Sequence, residues 1–252
     1  MCLALAAAQP AAAQTAVTAP SAVPRTVPVP VVTGPVAVTA DSHPFAGAAF
    51  TQAPIDLAAR GYVEEEFLVS GTGNVYDWNT DGTLATRASA LPYTTRILVR
   101  RPSTQARFSG TVLVDVANQG AAFDTFAVWG QLSDHLLANG HAYVALTVFA
   151  RNIGALLKNA ATAGPMGGLR VERVFASMQS GGDLPTYVAA IHRNVALANG
   201  TPVIHIVAQP EVSPAIRRPD SDTAGDRFRR YELPGASHLT SGTSSTSRRS
   251  PT

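Results

Sequence analysis

Three loops of this sequence hold the residue types that acyl transfer through a serine requires. Ser180 lies in Ser177-Met178-Gln179-Ser180-Gly181-Gly182, Glu211 in Gln209-Pro210-Glu211, and His238 in Pro234-Gly235-Ala236-Ser237-His238. Each loop follows a segment with strand character, where side chains from successive loops can converge. In this chemistry the imidazole takes the serine proton, the carboxylate orients the imidazole, and backbone amides hold the oxyanion. The chain order serine, acid, histidine differs from the orders of chymotrypsin and subtilisin. Gly181 can supply one oxyanion amide. Gln119, in Asn118-Gln119-Gly120 after an earlier strand, can supply a second. An ordinary turn is an equal reading of that tripeptide.

The serine motif is incomplete. A nucleophile on a tight strand-to-helix turn needs small residues two positions to either side, because the backbones approach closely there. Ser180 has Gly182 after it but Met178 before it, whereas Ser177 is flanked by Phe175 and Gln179. Ser180 therefore meets half of the requirement. Either serine can instead cap a following helix.

Other chemical groups read as structural. His135 falls mid-helix and His141 opens a strand. His192, His205 and His238 lack the spacing of a metal site. Glu64-Glu65-Glu66 reads as a solvated strand edge. Asp220, Asp222 and Asp226 form an acidic loop, with a solvated role favoured over cation binding or a substitute triad acid. Gly71 and Gly73 precede no helix, so they are no dinucleotide fingerprint, and there is no P-loop. No cofactor is expected.

The segments that must position these groups alternate in type. Tyr62–Val69, Thr95–Val99, Thr111–Ala117, His141–Phe149, Val171–Ala176, Pro202–Ala208 and Arg227–Leu233 have strand character. Gly71-Thr72-Gly73 reads as a turn after the first of them. Phe126, Trp129, Leu132, Leu136 and Leu137 give helical spacing over Phe123–Ala138, and Asn139-Gly140 stops it. Ile153–Lys158 reads as a short helix and Leu184–Leu197 as a longer one. The alternation predicts an α/β fold, a mostly parallel sheet flanked by helices. The early strands, with no helix between them, are expected to be antiparallel at its N-terminal edge.

Composition bounds the rest. The chain has 252 residues, 46% hydrophobic and 14% charged, with a formal net charge of +2. That is globular composition without the basic field that nucleic acid needs. A lone cysteine, Cys2, excludes a disulfide framework. No uninterrupted apolar run of membrane-spanning length occurs. Residues 1–13 resemble the end of an export signal, with Ala11-Ala12-Ala13 as the cleavage site, so a secreted or periplasmic location is expected. Residues 14–42, rich in proline, read as a disordered linker. Residues 43–240 form the folded domain, and 241–252 a disordered Ser/Thr/Arg tail.

Several strings are similar to a bacterial α/β-hydrolase-domain family known mainly as secreted or periplasmic proteins of uncharacterised function. They are Val63–Trp78 (VEEEFLVSGTGNVYDW), Tyr93–Asp115 (YTTRILVRRPSTQARFSGTVLVD), Gly168–Tyr187 (GLRVERVFASMQSGGDLPTY) and Arg218–His238, the last with GDRFRRYELPGASH. The resemblance implies an α/β-hydrolase fold and a serine, acid, histidine triad, carried here by Ser180, Glu211 and His238. The substrate it implies is a small-molecule ester. The family's G-x-S-Q-S-G turn corresponds to FASMQSGG, which is about two residues short; Gln179-Ser180-Gly181 matches, while its first serine has no clean counterpart. This chain is also shorter. Only residues 151–166 stand where relatives carry a lid-like segment, and only 199–201 link the elbow helix to the next strand. A reduced lid implies a shallow, wet site. Three functions follow as expectations: an exported ester hydrolase, a catalytically inactive binding or vestigial domain of the same fold, and a structural cell-envelope protein.

Overall fold

The computed structural model describes residues 28–51, 53–81, 83–117, 126–147, 152–159, 161–178, 203–208, 219–223 and 227–234. Its main element is a six-stranded mixed sheet. The strands are β1 (Val31–Thr33), β2 (Tyr62–Trp78), β3 (Leu84–Pro102), β4 (Thr111–Val116), β5 (Ala142–Leu146) and β6 (Arg173–Met178), in spatial order β1-β2-β3-β5-β4-β6. The pairs β1–β2, β2–β3 and β3–β5 are antiparallel, while β4 pairs in parallel with both β5 and β6. The expected antiparallel N-terminal edge is present, but the sheet is mixed rather than mostly parallel: three of its five pairings are antiparallel, and the parallel strands β5, β4 and β6 lie together at the other side.

Two helices cover opposite faces. Helix α1 (Ala127–Ala138) joins β4 to β5, and α2 (Ile153–Leu157) follows β5. Trp129, Leu136 and Leu137 form the buried stripe of α1, packed on Leu98, Tyr143 and Ala145. Leu132, expected in that stripe, is exposed. Ile153, Leu156 and Leu157 of α2 pack on the other face, against Ile97, Val99, Val114, Val144 and Leu146. Strand β4 divides its side chains accordingly: Val112, Val114 and Val116 toward α2, Leu113 toward α1. Asn139 caps α1, and Gly140 follows with φ 65°, where a Cβ would run into the carbonyl oxygen of Arg107. The chain can leave this helix and enter β5 only through a glycine there.

The structure corrects several expected boundaries. Gly71-Thr72-Gly73 is not a turn, since β2 runs straight through it to Trp78. Tyr93 of β3 lies opposite Gly71, and its ring fills the space the missing side chains leave over Gly71 and Gly73. A register shift follows between Gly73 and Val75, so the glycines mark a bulge rather than a reversal. Within the proline-rich stretch, Val31–Thr33 forms β1 against Leu68–Ser70, with Pro28, Pro30 and Pro35 outside the strand. Strand β6 begins and ends two residues later than expected.

The single sheet expected from seven strand segments is also revised. Strands β7 (Val203–Ala208) and β8 (Phe228–Leu233) pair in parallel as a separate two-stranded sheet. Among the described residues, β6 pairs only with β4. The helix expected over Leu184–Leu197 lies outside the described residues. No described helix is long and apolar enough to cross a membrane.

Candidate active site

Strands β4, β5 and β6 point their carboxyl ends the same way, and the helices after β4 and β5 leave to opposite faces. Such a divergence opens a crevice beyond the strand ends, where α/β sheets place their chemistry. Gln119 and Ser180 follow β4 and β6 in the sequence, and these two strands are neighbours in the sheet. Ser180, Glu211 and His238, together with Gln119 and Gly181, lie outside the described residues.

Ser177 is within them. It is inside β6, opposite Asp115 of β4 in the parallel register. Residues paired in this way share a face, so Ser177 sits on the α1 side of the sheet. A nucleophilic elbow needs its serine past the strand. Strand β6 continues through Met178, which leaves Ser180 rather than Ser177 beyond its end.

Directly beneath the strand ends lies a buried polar group that the sequence reading did not single out. Asp115, 1% exposed, is the penultimate residue of β4. Tyr143 of β5 donates its hydroxyl to Asp115 Oδ2 at 2.9 Å. The backbone amides of Val128 and Trp129, in the first turn of α1, lie near the same carboxylate. A helix leaves its first amides without intrahelical partners, and a Ser, Thr, Asp or Asn at the N-cap usually accepts from them. Here the N-cap position is Phe126, which makes no side-chain cap bond. A negative charge on Asp115, near that first turn, meets the positive end of the helix dipole. Burial nevertheless dominates and pushes the Asp115 carboxyl up to about 6, against the lowering pull of Tyr143 and the two amides.

The neighbourhood of Asp115 is aromatic and cationic. The Arg100 guanidinium lies 3.9 Å from the centre of the Trp129 ring and 5.4 Å from that of Tyr143. Its Nε donates to Glu64 Oε2 at 2.7 Å, and its Nη2 donates to the carbonyl of Ala46. Glu64 also accepts from the amide of Ala48. The Tyr143 hydroxyl is held far above its ordinary pKa, first by burial and then by the nearby Asp115 charge. The run Glu64-Glu65-Glu66 is thus no solvated edge. Its strand is interior, Glu65 pairs with Arg101 at 2.6 Å, and Glu66 accepts from the amide of Phe45.

At the rim of the same end, Arg96 stands 4.3 Å over the Phe45 ring, and Phe45 meets Phe126 at 6.0 Å between centroids. Thr95 and Thr147 share a hydrogen bond of 2.6 Å where β3 and β5 meet. At the opposite, amino end of the parallel strands, Ser109 Oγ lies 2.6 Å from His141 Nδ1. That ring also lies 5.7 Å from His135, and burial lowers its pKa. His135 stands in the last turn of α1 rather than mid-helix, and His141 immediately precedes β5. His192 lies outside the described residues, and so does Asp226. Asp220 and Asp222 serve β8, accepting from the Arg230 amide and the Arg229 guanidinium. Among the described residues no group of three His, Cys, Asp or Glu is placed to hold a metal ion.

No curated protein and no solved structure matches the chain. Residues 32–155, from β1 to the middle of α2, match the family model of the alpha/beta hydrolase domain, which supports a hydrolase-like fold.

Proposed function

We propose that this protein is an exported serine hydrolase that cleaves a small-molecule ester by acyl transfer. Ser180 attacks the carbonyl carbon. His238 accepts the serine proton and returns it to the leaving alcohol, then activates water for deacylation. Glu211 orients the imidazole, and the amides of Gln119 and Gly181 hold the oxyanion. The reading needs no cofactor. The observation that carries it is the divergence of α1 and α2 to opposite faces above three parallel strands, in a stretch matching the alpha/beta hydrolase domain. The small-residue run at Ala11-Ala12-Ala13 supports export.

A fluorophosphonate probe tests it directly. The wild-type protein becomes labelled, and Ser180→Ala removes the label. Labelling that survives Ser180→Ala but disappears in Ser177→Ala keeps the reaction class and moves the nucleophile. No labelling of a folded wild-type protein sinks the enzyme.

A second reading, an inactive domain of the same fold, is favoured by one feature. Phe175 on β6 and Ile204 and Ile206 on β7 are 54%, 65% and 61% exposed, apolar side chains that a complete hydrolase core would cover. The same labelling experiment separates the two.

A further inference from the structure

We propose that His135, His141 and Arg173 form a binding site for a tetrahedral oxyanion, a phosphate or a phosphate monoester, at the amino ends of the parallel strands. The inference does not rest on the hydrolase reading, since the strand-end crevice lies at the other end of the sheet.

The strand register places these groups in one row. Thr111, at the start of β4, lies opposite Arg173 of β6, and Val112 lies opposite Ala142 of β5. His141, one residue before Ala142, therefore stands beside Thr111. The row His141, Thr111, Arg173 shares the α1 face with Tyr143, Leu113 and Phe175. The last turn of α1 brings His135 to it, with its ring 5.7 Å from that of His141 and the two planes at 56°. Arg173 folds back along the row. Its Nε donates to Thr111 Oγ1 at 3.2 Å and its Nη2 to the carbonyl of Ser109 at 3.4 Å, while Ser109 Oγ lies 2.6 Å from His141 Nδ1. Guanidinium and imidazole thus meet on the same serine.

The hydrogen-bond network fixes which nitrogens remain as donors. Asn139 Nδ2 is a donor and lies 3.3 Å from His135 Nδ1, so that Nδ1 accepts and Nε2 carries the proton. Ser109 Oγ accepts from the amide of Thr111 at 3.2 Å and gives its own proton to His141 Nδ1, which leaves that ring protonated at Nε2. Each ring keeps an Nε2–H that no described residue accepts, and Arg173 keeps N–H groups beyond the two in use. The carbonyls of the last turn, which would repel an anion, are engaged. That of His135 accepts from the amide and Nδ2 of Asn139, and that of Leu136 accepts from Tyr62 and from the amide of His141.

The charges that face the row have one sign. Burial lowers the pKa of His141, and the charges of His135 and Arg173 lower it further, with no carboxylate countering them. Arg173 pairs with no carboxylate among the described residues. Its neighbour Glu172 lies over Gly110 and pairs with Arg170 at 2.9 Å. From β2, Tyr62 donates to the carbonyl of His141 and stays neutral, with Arg107 as a further cation beside it. Donors from a helix and two strands, on rings set at 56°, approach from different directions. A tetrahedral anion offers an oxygen to each, whereas a carboxylate offers two oxygens in one plane. A phosphate ester loses its second proton near pH ~6, in the range of an imidazole. Bound phosphate therefore raises the pKa of both histidines and ties the end of α1 to the entries of β5 and β6.

The test uses the full chain, with inorganic phosphate as the probe and O-phosphoserine and acetate as comparisons, all at constant ionic strength. Nuclear magnetic resonance of the imidazole Cε1–H groups reads each histidine separately. In wild type, phosphate raises the pKa of His135 and His141 together along one saturable curve, and it raises the melting temperature. Arg173→Gln and His135→Gln, both at exposed positions, weaken phosphate binding about 10-fold or more. Arg170→Gln, which alters a nearby cation already paired with Glu172, leaves binding unchanged. Tighter binding of O-phosphoserine than of phosphate assigns a phosphate ester, and the reverse order assigns the free ion; both support the site. Acetate binding as tightly as phosphate reduces the row to a patch of positive charge and overturns the proposal. Histidines unmoved by millimolar phosphate overturn it too, as does an equal loss of binding in Arg170→Gln. If a variant does not fold, the two histidine titrations in wild type decide on their own.

Discussion

The two faces of the central sheet are built from different materials. Toward α2, the sheet presents Ile97, Val99, Val112, Val114, Val116, Val144 and Leu146, closed by Ile153, Leu156, Leu157 and Met166. Toward α1, it presents Arg100, Tyr143 and Asp115, with Trp129 and Glu64 against them. Both faces are buried. The first gains stability from area removed from water and from close packing, which are tolerant of which apolar residue does the work. The second adds a chain of directional contacts, Glu64 to Arg100, Arg100 to the two rings, and Tyr143 to Asp115. A chain of that kind fixes geometry more than it adds stability, because each charge in it was taken out of water. The polar face is also the one whose helix begins where the proposed oxyanion loop ends.

The comparison fails or sharpens first at Arg100. It is 2% exposed, so Arg100→Ala strands the Glu64 carboxylate and opens a gap under two aromatic rings. Removing one partner of a buried pair costs about 3–5 kcal/mol. Urea denaturation of the variant is expected to show that loss. Arg100→Met with Glu64→Gln, which removes both charges and keeps the volume, recovers most of it. If the double variant is no better than Arg100→Ala, the cost lies in packing and the two faces do not differ in kind.

The matching probe of the other face is Leu146, fully buried at the end of β5. Leu146→Ala costs about 3 kcal/mol through lost burial and a residual cavity, whereas Leu146→Met costs less than about 1.5 kcal/mol. Tolerance of methionine is the mark of a face held by area. Both variants are read by thermal and urea melts. A methionine penalty as large as that of alanine would mean that the aliphatic face is as exacting as the polar one.

How far each face is legible in the sequence follows from the range of its interactions. The aliphatic face is written in local runs, VLV in β4 and AYVAL in β5, and a period of two or a continuous apolar string identifies such strands. Gly140 likewise announces the end of α1 from its own neighbourhood. The polar face depends on pairs far apart in the chain: Glu64 and Arg100 are separated by 36 residues, Asp115 and Tyr143 by 28. Nothing near Glu64 marks it as an interior residue, and it reads as solvated edge. The one visible signal for Asp115 is a carboxylate inside the apolar run TVLVDV, where an unpaired charge is too costly to leave without partners. The two-residue offset of β6 matters more than its size, because it takes Ser177 from the loop into the strand. The offset arises because the pairing of Arg173–Met178 with β4, rather than the apolar string VERVFA, sets the strand's limits. The proposed triad itself lies in loops outside the described residues, and its assignment rests on chain order and resemblance.

Next in size is the pH dependence of stability. The folded carboxyl of Asp115 sits at about 6, above its ordinary 3.8. The folded state therefore holds a proton that the unfolded chain has released between about pH 4 and 6. By linkage, this group's contribution to stability is fully present below pH 4 and is lost as pH rises through 6. At about 1.4 kcal/mol per pH unit, the loss is on the order of 3 kcal/mol. Urea melts from pH 4 to 7 are expected to show that decline in wild type and a flatter line in Asp115→Asn. Equal slopes would mean that Asp115 is not the group that titrates.

The smallest expected effect lies at the far end of α1. The Tyr62 hydroxyl donates to the carbonyls of Leu136 and His141, at 3.2 and 3.0 Å. It thereby ties the last turn of the helix and the entry to β5 onto β2. Burial raises its pKa to about 12, so it stays a donor at every ordinary pH. Tyr62→Phe keeps the ring and strips the donor, leaving two carbonyls that retain their lone pairs but lose one partner each. The expected loss is about 1 kcal/mol, independent of pH between 4 and 8, with unchanged amide hydrogen exchange at Val128 and Trp129. The contrast with Asp115 is the point of the experiment. A neutral donor from the sheet holds this end of α1, whereas a buried carboxylate, Asp115, lies near its first turn. If removing the Tyr62 hydroxyl loosens the first turn as much as removing the Asp115 carboxylate does, α1 moves as one rigid rod.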